Sequence, residues 1–455
     1  MIRIQYASEV EKEFFAPRSF SGSAETVRAV IEDVKKRGDD ALRDYAKKFD
    51  AASPASFLLP EDELRSAAEK LKRERVALYD ALSYSYDAAL RFAKKQKESF
   101  SDFEVELEPG VFTGQKTIPV ESAGAYIPAG RFPLISTVVM TTSPALAAGV
   151  KNLVLCTPPR VHPNDMRKAE RSGTGKAGKP FVGGAPYADE GIMAAAFICG
   201  VKKVFACGGA QAVAAMAFGT ESIPAVDVIV GPGNTFVAAA KKEVYGTVGI
   251  DMLAGPTEVF IIADGSADPA WLAADLLAQA EHDPVAQPVL ATSDGKLAER
   301  VAAEIEAQLA SLPTRTTAEA SISSCGRIII TGSLEEAAEL ANRKAPEHLE
   351  LAVSEGGECD KLVSLVHNYG SLFIGHYAAE VFGDYAAGLN HTLPTSGSAR
   401  FTGGLSVRTF LKTVTTLRCE KGKEGMKRCA EAAACLGDAE GLAAHARAAR
   451  LRLKN

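Results

Sequence analysis

No stretch of this sequence approaches the ~20 consecutive apolar residues that a bilayer-spanning helix needs. The opening residues, MIRIQYASEVEKEFF, carry no apolar core of a secretory signal, so a cytoplasmic location is expected. The eight cysteines form no CxxC pair and read as reduced thiols. No segment gathers cations into a stripe: 51 Lys and Arg are scattered among 57 Asp and Glu, for a net charge of −6. Neutralising phosphates takes many cations on one face, so nucleic acid is disfavoured as a partner. A complete GxGxxG dinucleotide fingerprint is also missing. Histidine is scarce, with seven in the chain, and several fall in loops or at helix ends.

What is present is the composition of an ordinary globular enzyme, 47% hydrophobic and 24% charged. At 455 residues the chain is too long for one core, so two or three domains are expected. Residues 1–120 read as a helical segment, because Val27, Val30, Ile31 and Val34 recur at three- and four-residue steps. From about residue 120 short β-branched runs alternate with Ala-rich helical stretches. GVKNLVLC (149–156), GVKKVFAC (200–207) and VDVIVG (226–231) form a first series. Val259–Ala263, Val289–Thr292, Arg327–Ile330, Leu349–Val353 and Ser371–Ile374 form a second. Continuous apolar runs between helices are the mark of buried parallel strands. The expected fold is therefore α/β, with two incomplete Rossmann-like, doubly wound domains over 121–255 and 256–380. A loop-and-helix segment, 381–455, closes the chain. Arg160–Gly184, rich in Gly, Lys and Arg without apolar periodicity, reads as an exposed loop.

Five features could carry chemistry, the first a pair of Gly-rich turns. Gly208–Gly209 and Gly231–Gly233 each lie between a strand and a helix, where backbone N–H groups and the helix dipole suit a phosphate. Each alone also suits a plain tight turn, but two in succession at strand carboxyl ends tilt towards a nucleotide crevice. In DPAWLAADLLAQAEHDP, Gln279 and His282 stand at i, i+3 on a helix end and could converge on a metal, Gln being an unusual ligand. A solvated helix end is the commoner use of that spacing. Glu347–His348 opens an apolar strand behind a proline, and both residue types serve as general bases. A surface pair at a strand edge is the rival reading. The loop FGDYAAGLNHTLPT displays Asp384 and His391, which suits a ligand site as well as a solvated loop. Glu440 and His445, five apart, do not share a helical face well, so they serve one site only if the segment bends or Glu440 precedes the helix; read alone, they are two polar residues on a solvated helix.

Taken together, the blocks GAYIPAG, GGAQAVAAMAFGTES, VDVIVGPGNTFVAAAKK, IDMLAGPTEVFIIAD, DLLAQAEHD, APEHLELAV, FGDYAAGLNHTLPT, FTGGLSV and AEGLAAH closely resemble the histidinol dehydrogenase family. The resemblance runs from about residue 120 to the C-terminus, with the helical N-terminal segment fitting more loosely. It implies a zinc- and NAD-dependent oxidation of an amino alcohol to an amino acid in two steps, in an intertwined homodimer with shared active sites. Carried onto matching positions, the zinc ligands fall on Gln279, His282, Asp384 and His445, and the catalytic bases on Glu347 and His348. NAD contacts fall on Tyr126, Gln211 and Asn234. Substrate contacts fall on Thr257, His348, Asp384 and Glu440, with Gln279, His282 and His445 lining the same pocket. Glu440 and His445 would come from the partner subunit. The chain departs from the family pattern at Thr257, where the family usually has Ser, and at Ala129, where it usually has Gly. Arg160–Gly184 looks like an insertion. AGPTEV, NYGSLFIG and NHTLPT are also similar to relatives that oxidise other small alcohols, such as sulfopropanediol dehydrogenases. From the residues alone, a zinc hydrolase is a rival, but it leaves the paired Gly-rich turns without a use. A non-catalytic binder would not need both bases.

Overall fold

The computed structural model describes residues 2–16, 24–130, 132–172 and 180–454. Its frame is two parallel sheets. The first runs, edge to edge, Lys203–Ala206, Asn152–Thr157, Ser122–Tyr126, Val228–Val230 and Gly249–Ile250. Every neighbouring pair is parallel. Numbered within the domain this is the order 3-2-1-4-5, which has its topological switch point between Ser122–Tyr126 and Val228–Val230. The second sheet repeats that order with Arg327–Ile330, Gln287–Thr292, Glu258–Ala263, His348–Ala352 and Ser371–Ile374. One strand is added at its edge: Arg3–Tyr6 runs parallel to Arg327–Ile330, with Arg3 opposite Arg327.

The apolar runs are buried on both faces, as parallel strands between helices must be. In the first sheet Ala123, Ala125, Leu155 and Val204 join a core with the helices Ile135–Ala148 and Glu190–Ile198. The alternate residues Val154, Cys156, Phe205 and Ile229 face Ala24–Arg37, Gly209–Phe218 and Thr235–Val244. In the second, Val259, Ile261 and Ile328 pack with Pro269–Ala280 and Gly295–Leu309, whereas Phe260, Ile262 and Leu349 face Leu334–Lys344. Both sheets are thus doubly wound, as expected from the sequence.

The N-terminal segment is more mixed than the helical reading of it. The helices Ala24–Arg37, Asp39–Phe49, Glu61–Glu74 and Val76–Lys97 are present. They pack on the first sheet, while Arg3–Tyr6 joins the second. The hairpin Phe103–Glu108 and Val111–Pro119 is completed antiparallel by Leu411–Cys419 near the other end of the chain. Helices Glu424–Ala439 and Ala443–Leu451 follow that strand. Arg160–Gly184 is not simply a loop either. Pro163–Ser172 is helical, and Phe181–Val182 pairs with Ala52–Ser53. Residues 173–179 of this stretch lie outside the described ones.

Candidate active site

A cavity of about 630 Å³ opens at the carboxyl ends of the first sheet's strands. Tyr126, Gln211 and Asn234, three residues singled out from the sequence, all lie in its wall, with Gly209 beside them. Two helices start here. Gly209, at φ 66°, begins Gly209–Phe218, and its N–H donates to Tyr126 Oη at 3.0 Å. Asn234 caps Thr235–Val244 by accepting from the N–H groups of Phe236 and Val237, each at 3.1 Å. Gly231 shows why glycine occupies the turn between them: at φ 111°, a Cβ would sit 2.2 Å from the Tyr126 carbonyl oxygen. Behind the turn a buried ion pair fixes its backbone. Lys241 Nζ donates to Asp251 and to the Gly231 carbonyl at 3.0 Å, and Asp251 accepts the Gly231 N–H at 2.7 Å. Ala129 has a negative φ, since it is absent from the left-handed residues among those described, and it is buried. The alanine here is compatible with its backbone.

The second sheet contributes its opposite, amino ends. Helix Leu334–Lys344 stops at Ala345, in the left-handed region at φ 53°, and Pro346 follows. The chain then enters the strand His348–Ala352 with Glu347 and His348 both buried. Glu347 Oε2 accepts from Thr257 Oγ1 at 2.5 Å and from the Glu258 N–H at 3.0 Å. It lies 3.9 Å from His348 Nδ1, so the two neighbours meet although strand geometry sends successive side chains apart. Glu347 precedes the strand and is free of that alternation. His348 Nε2 faces Asp384 Oδ1 at 3.3 Å, from the short helix Glu380–Tyr385. Gln279 is buried in the last turn of Pro269–Ala280. The orientation of its amide that satisfies both ends puts the nitrogen 2.5 Å from Glu380 Oε1 and the oxygen 2.9 Å from the Glu258 nitrogen. His282, two residues past that helix, reaches the wall of the first sheet's cavity and so joins the two halves of the cleft.

The charges in this cluster hold one another. Burial pushes the Glu347 carboxyl up to about 7, with the His348 charge opposing. Burial also works against an imidazolium at His348, but Glu380, Glu347 and Asp384 outweigh it and raise its pKa well above the ordinary value. Burial opposes the Asp384 charge too, and the His348 hydrogen bond and charge bring its carboxyl below the usual range. The His282 ring is open to solvent at the cleft, yet the protein crowded around it lowers its pKa, with Asp384 opposing. His391, from the loop after Asp384, faces Thr137 Oγ1 at 3.3 Å and is likewise lowered by burial. Two buried atoms, His348 Nδ1 and Glu380 Oε2, lie 3.9 Å apart and have no hydrogen-bond partner among the described residues. Unpaired buried polar atoms are costly unless something else meets them.

Glu350 and Glu380 were not among the sequence candidates. Glu350 sits two residues beyond His348, hence on the same strand face, and Oε1 accepts the Glu380 N–H at 3.0 Å. Its carboxyl is pushed up to about 8 by burial and by Asp275. Glu380 stands four residues before Asp384, on one helical face. Glu440 and His445 are not brought to this cluster. Glu440 caps the end of Glu424–Ala439, Gly441 turns the chain at φ 75°, and His445 lies on the next helix, both side chains exposed. Glu440 therefore does precede the helix of His445. No group of three or more His, Cys, Asp or Glu among the described residues is arranged to hold a metal ion within one chain.

The cavity at the first sheet's carboxyl ends and the buried acid–histidine cluster at the second sheet meet at His282, within an α/β fold of two doubly wound sheets. The chain belongs to the histidinol dehydrogenase family, whose model matches residues 17–185 and 180–453, and it is accordingly a dehydrogenase. It is 39% identical to a histidinol dehydrogenase of Dechloromonas aromatica over all of both chains. It is 42% identical to one of Geobacter sulfurreducens, covering 94% of this chain and 93% of that one. It is also 42% identical to a sulfopropanediol 3-dehydrogenase of Ruegeria pomeroyi, covering 94% and 92%. A solved histidinol dehydrogenase from Elizabethkingia anophelis superposes with a TM-score of 0.87 at 34% identity, covering 100% of this chain and 98% of that one. No helix among the described residues is long and apolar enough to cross a membrane.

Proposed function

We propose that this protein oxidises L-histidinol to L-histidine with two molecules of NAD, through a bound aldehyde. The observation that carries the reading is His282, which lines the large cavity and is close enough to Asp384 and His348 to feel their charges, so that it links the cavity to the Glu347–His348 pair. NAD would lie along that cavity, its phosphates at the starts of Gly209–Phe218 and Thr235–Val244. Its contacts would be Tyr126, Gln211 and Asn234.

The donor set suits zinc, with the His282 imidazole and the Asp384 carboxylate close enough to feel each other's charge. Gln279, His282 and Asp384 would hold the ion from one chain, and His445 from a second copy, together with Glu440 for the substrate. Zinc would supply a Lewis acid that binds and orients the amino alcohol. A homodimer accounts for the exposure of Glu440 and His445 on a unit that also exposes Leu107, Leu417 and Leu436.

His348 would remove the alcohol proton, and NAD, when bound, would accept the hydride. The carboxylate neighbours of His348 favour the imidazolium, and cationic charge brought in with the ligands offsets them and frees the ring to act as a base. Glu347, poised near neutrality, activates the water that adds to the aldehyde before the second hydride transfer. Enclosure of the aldehyde between the domains keeps it from solvent.

A second reading keeps this machinery and changes the substrate to sulfopropanediol. It is favoured by Thr257, which stands where the family resemblance places a substrate contact and usually a serine, and by the Ruegeria relative, as similar as the histidinol dehydrogenases. NADH formation by the purified protein with L-histidinol, set against sulfopropanediol, separates the two. Turnover of sulfopropanediol alone would remove histidinol as the substrate, and turnover of neither would reject both.

A further inference from the structure

The cavity at the first sheet has a third wall that neither the strand ends nor His282 explains. It is built by the end of helix Asp39–Phe49, which lies outside the sheet, and brings Phe49 and Asp50 beside Val30. Hydride must be accepted near His348, so the nicotinamide end of the dinucleotide belongs at His282. The two helix starts take the pyrophosphate, and this third wall is left for adenosine. In the usual doubly wound site an acidic residue follows the second strand and reads the ribose hydroxyls. Here the second strand, Asn152–Thr157, runs on into Pro158–Pro159–Arg160 and offers no carboxylate.

Asp50 stands in that place. Its Oδ2 is shut off from solvent and has no hydrogen-bond partner among the described residues. Burial pushes the carboxyl up to about 7, with Arg160 opposing. Arg160 is itself tied to the Ala129 carbonyl, Nη2 donating at 2.6 Å, and lines the same cavity. A carboxylate accepts hydrogen bonds on two oxygens, and a ribose offers two adjacent hydroxyl donors that would meet the Asp50 carboxyl where it lines the cavity. A 2′-phosphate removes one of the two hydroxyl donors and brings negative charge against the carboxylate.

We propose that Asp50 receives the adenosine ribose hydroxyls of the dinucleotide and makes the site select NAD over NADP. This rests on the dehydrogenase reading above. The test measures dissociation constants by calorimetry for NAD, NADP, ADP-ribose and nicotinamide mononucleotide, with no turnover involved. The parent protein should bind NAD at least a hundredfold more tightly than NADP. In Asp50→Asn, nearly the same shape, NAD and ADP-ribose should weaken about tenfold or more, as for a lost hydrogen bond to a charged group. NADP should hold or improve, since Arg160 is then unopposed, and nicotinamide mononucleotide should be unaffected. Asp50→Ser should shift the NAD-to-NADP ratio the same way, and unchanged melting of either variant shows that it has folded. An unchanged ratio in a folded variant, or equal weakening of the mononucleotide, overturns the role of Asp50 and leaves the dehydrogenase reading standing. Failure of the parent to bind either dinucleotide overturns both.

Discussion

The turn at Gly231 is held from behind by the Lys241–Asp251 pair, and Lys241→Met tests how much depends on it. Both side chains are almost fully buried, and Asp251 also accepts the Gly231 and Met252 N–H groups, each at 2.7 Å. Methionine fills the volume of lysine but leaves the carboxylate without its cation. Breaking a buried pair from one side costs about 3–5 kcal/mol. At 2–4 °C per kcal/mol for a domain of this size, the apparent melting midpoint should fall by roughly 6–20 °C. Because Gly231 loses its carbonyl partner, NAD affinity should fall as well. Adding Asp251→Asn removes the stranded charge, and more than half of the lost stability should return. Differential scanning calorimetry on the parent and the two variants reads these differences directly. A double variant no more stable than Lys241→Met, or a single variant within ~1 kcal/mol of the parent, would refute the argument that an uncompensated charge is what hurts.

Thr257→Val removes a donor from the ionised Glu347, so its pKa should rise from about 7 by about 1–2 units. The acid limb of the aldehyde-oxidation profile should move to higher pH by that amount. Thr257→Ser should leave it in place, and an unmoved limb in the valine variant counts against Glu347 as the base. Glu347→Gln should slow oxidation of added aldehyde more than that of alcohol, and an aldehyde rate equal to the parent's would end that assignment. Gln279→Ala and His445→Ala should each be nearly inactive alone, while refolding them together should return roughly a quarter of parental activity if the site is shared across the dimer. No recovery with mixed dimers present would mean that each chain builds its own site.

Much of the frame was legible because buried parallel strands announce themselves locally: Val228–Val230 and Arg327–Ile330 are continuous apolar runs between helices. The Gly-rich turns were equally plain. The hairpin of residues 103–119 was not, because FEVELE is mostly exposed and its neighbour Val111–Pro119 takes its second partner from Leu411–Cys419. Such pairing is non-local and leaves little apolar period to detect. Within the candidate site, Glu347 and His348 could be picked out as a pair, but not their meeting with Glu380, which depends on a loop some thirty residues on folding back. Glu350 was within reach, since strand alternation puts it on the face of His348.

The edge strand Arg3–Tyr6 has a bearing on how the chain is made. All five strands of the first sheet lie between Ser122 and Ile250, so that sheet can assemble while the rest is still being synthesised. Arg3–Tyr6 has a long wait, because its partner Arg327–Ile330 is made more than three hundred residues later. Until then Arg3–Tyr6 is an unpaired strand, and afterwards Arg327–Ile330 would be an open edge in any molecule whose N-terminus had been trimmed. Bare edges invite pairing with other chains. An N-terminal tag or clip placed far from the site would therefore show itself first as poor yield or aggregation, before any loss of turnover.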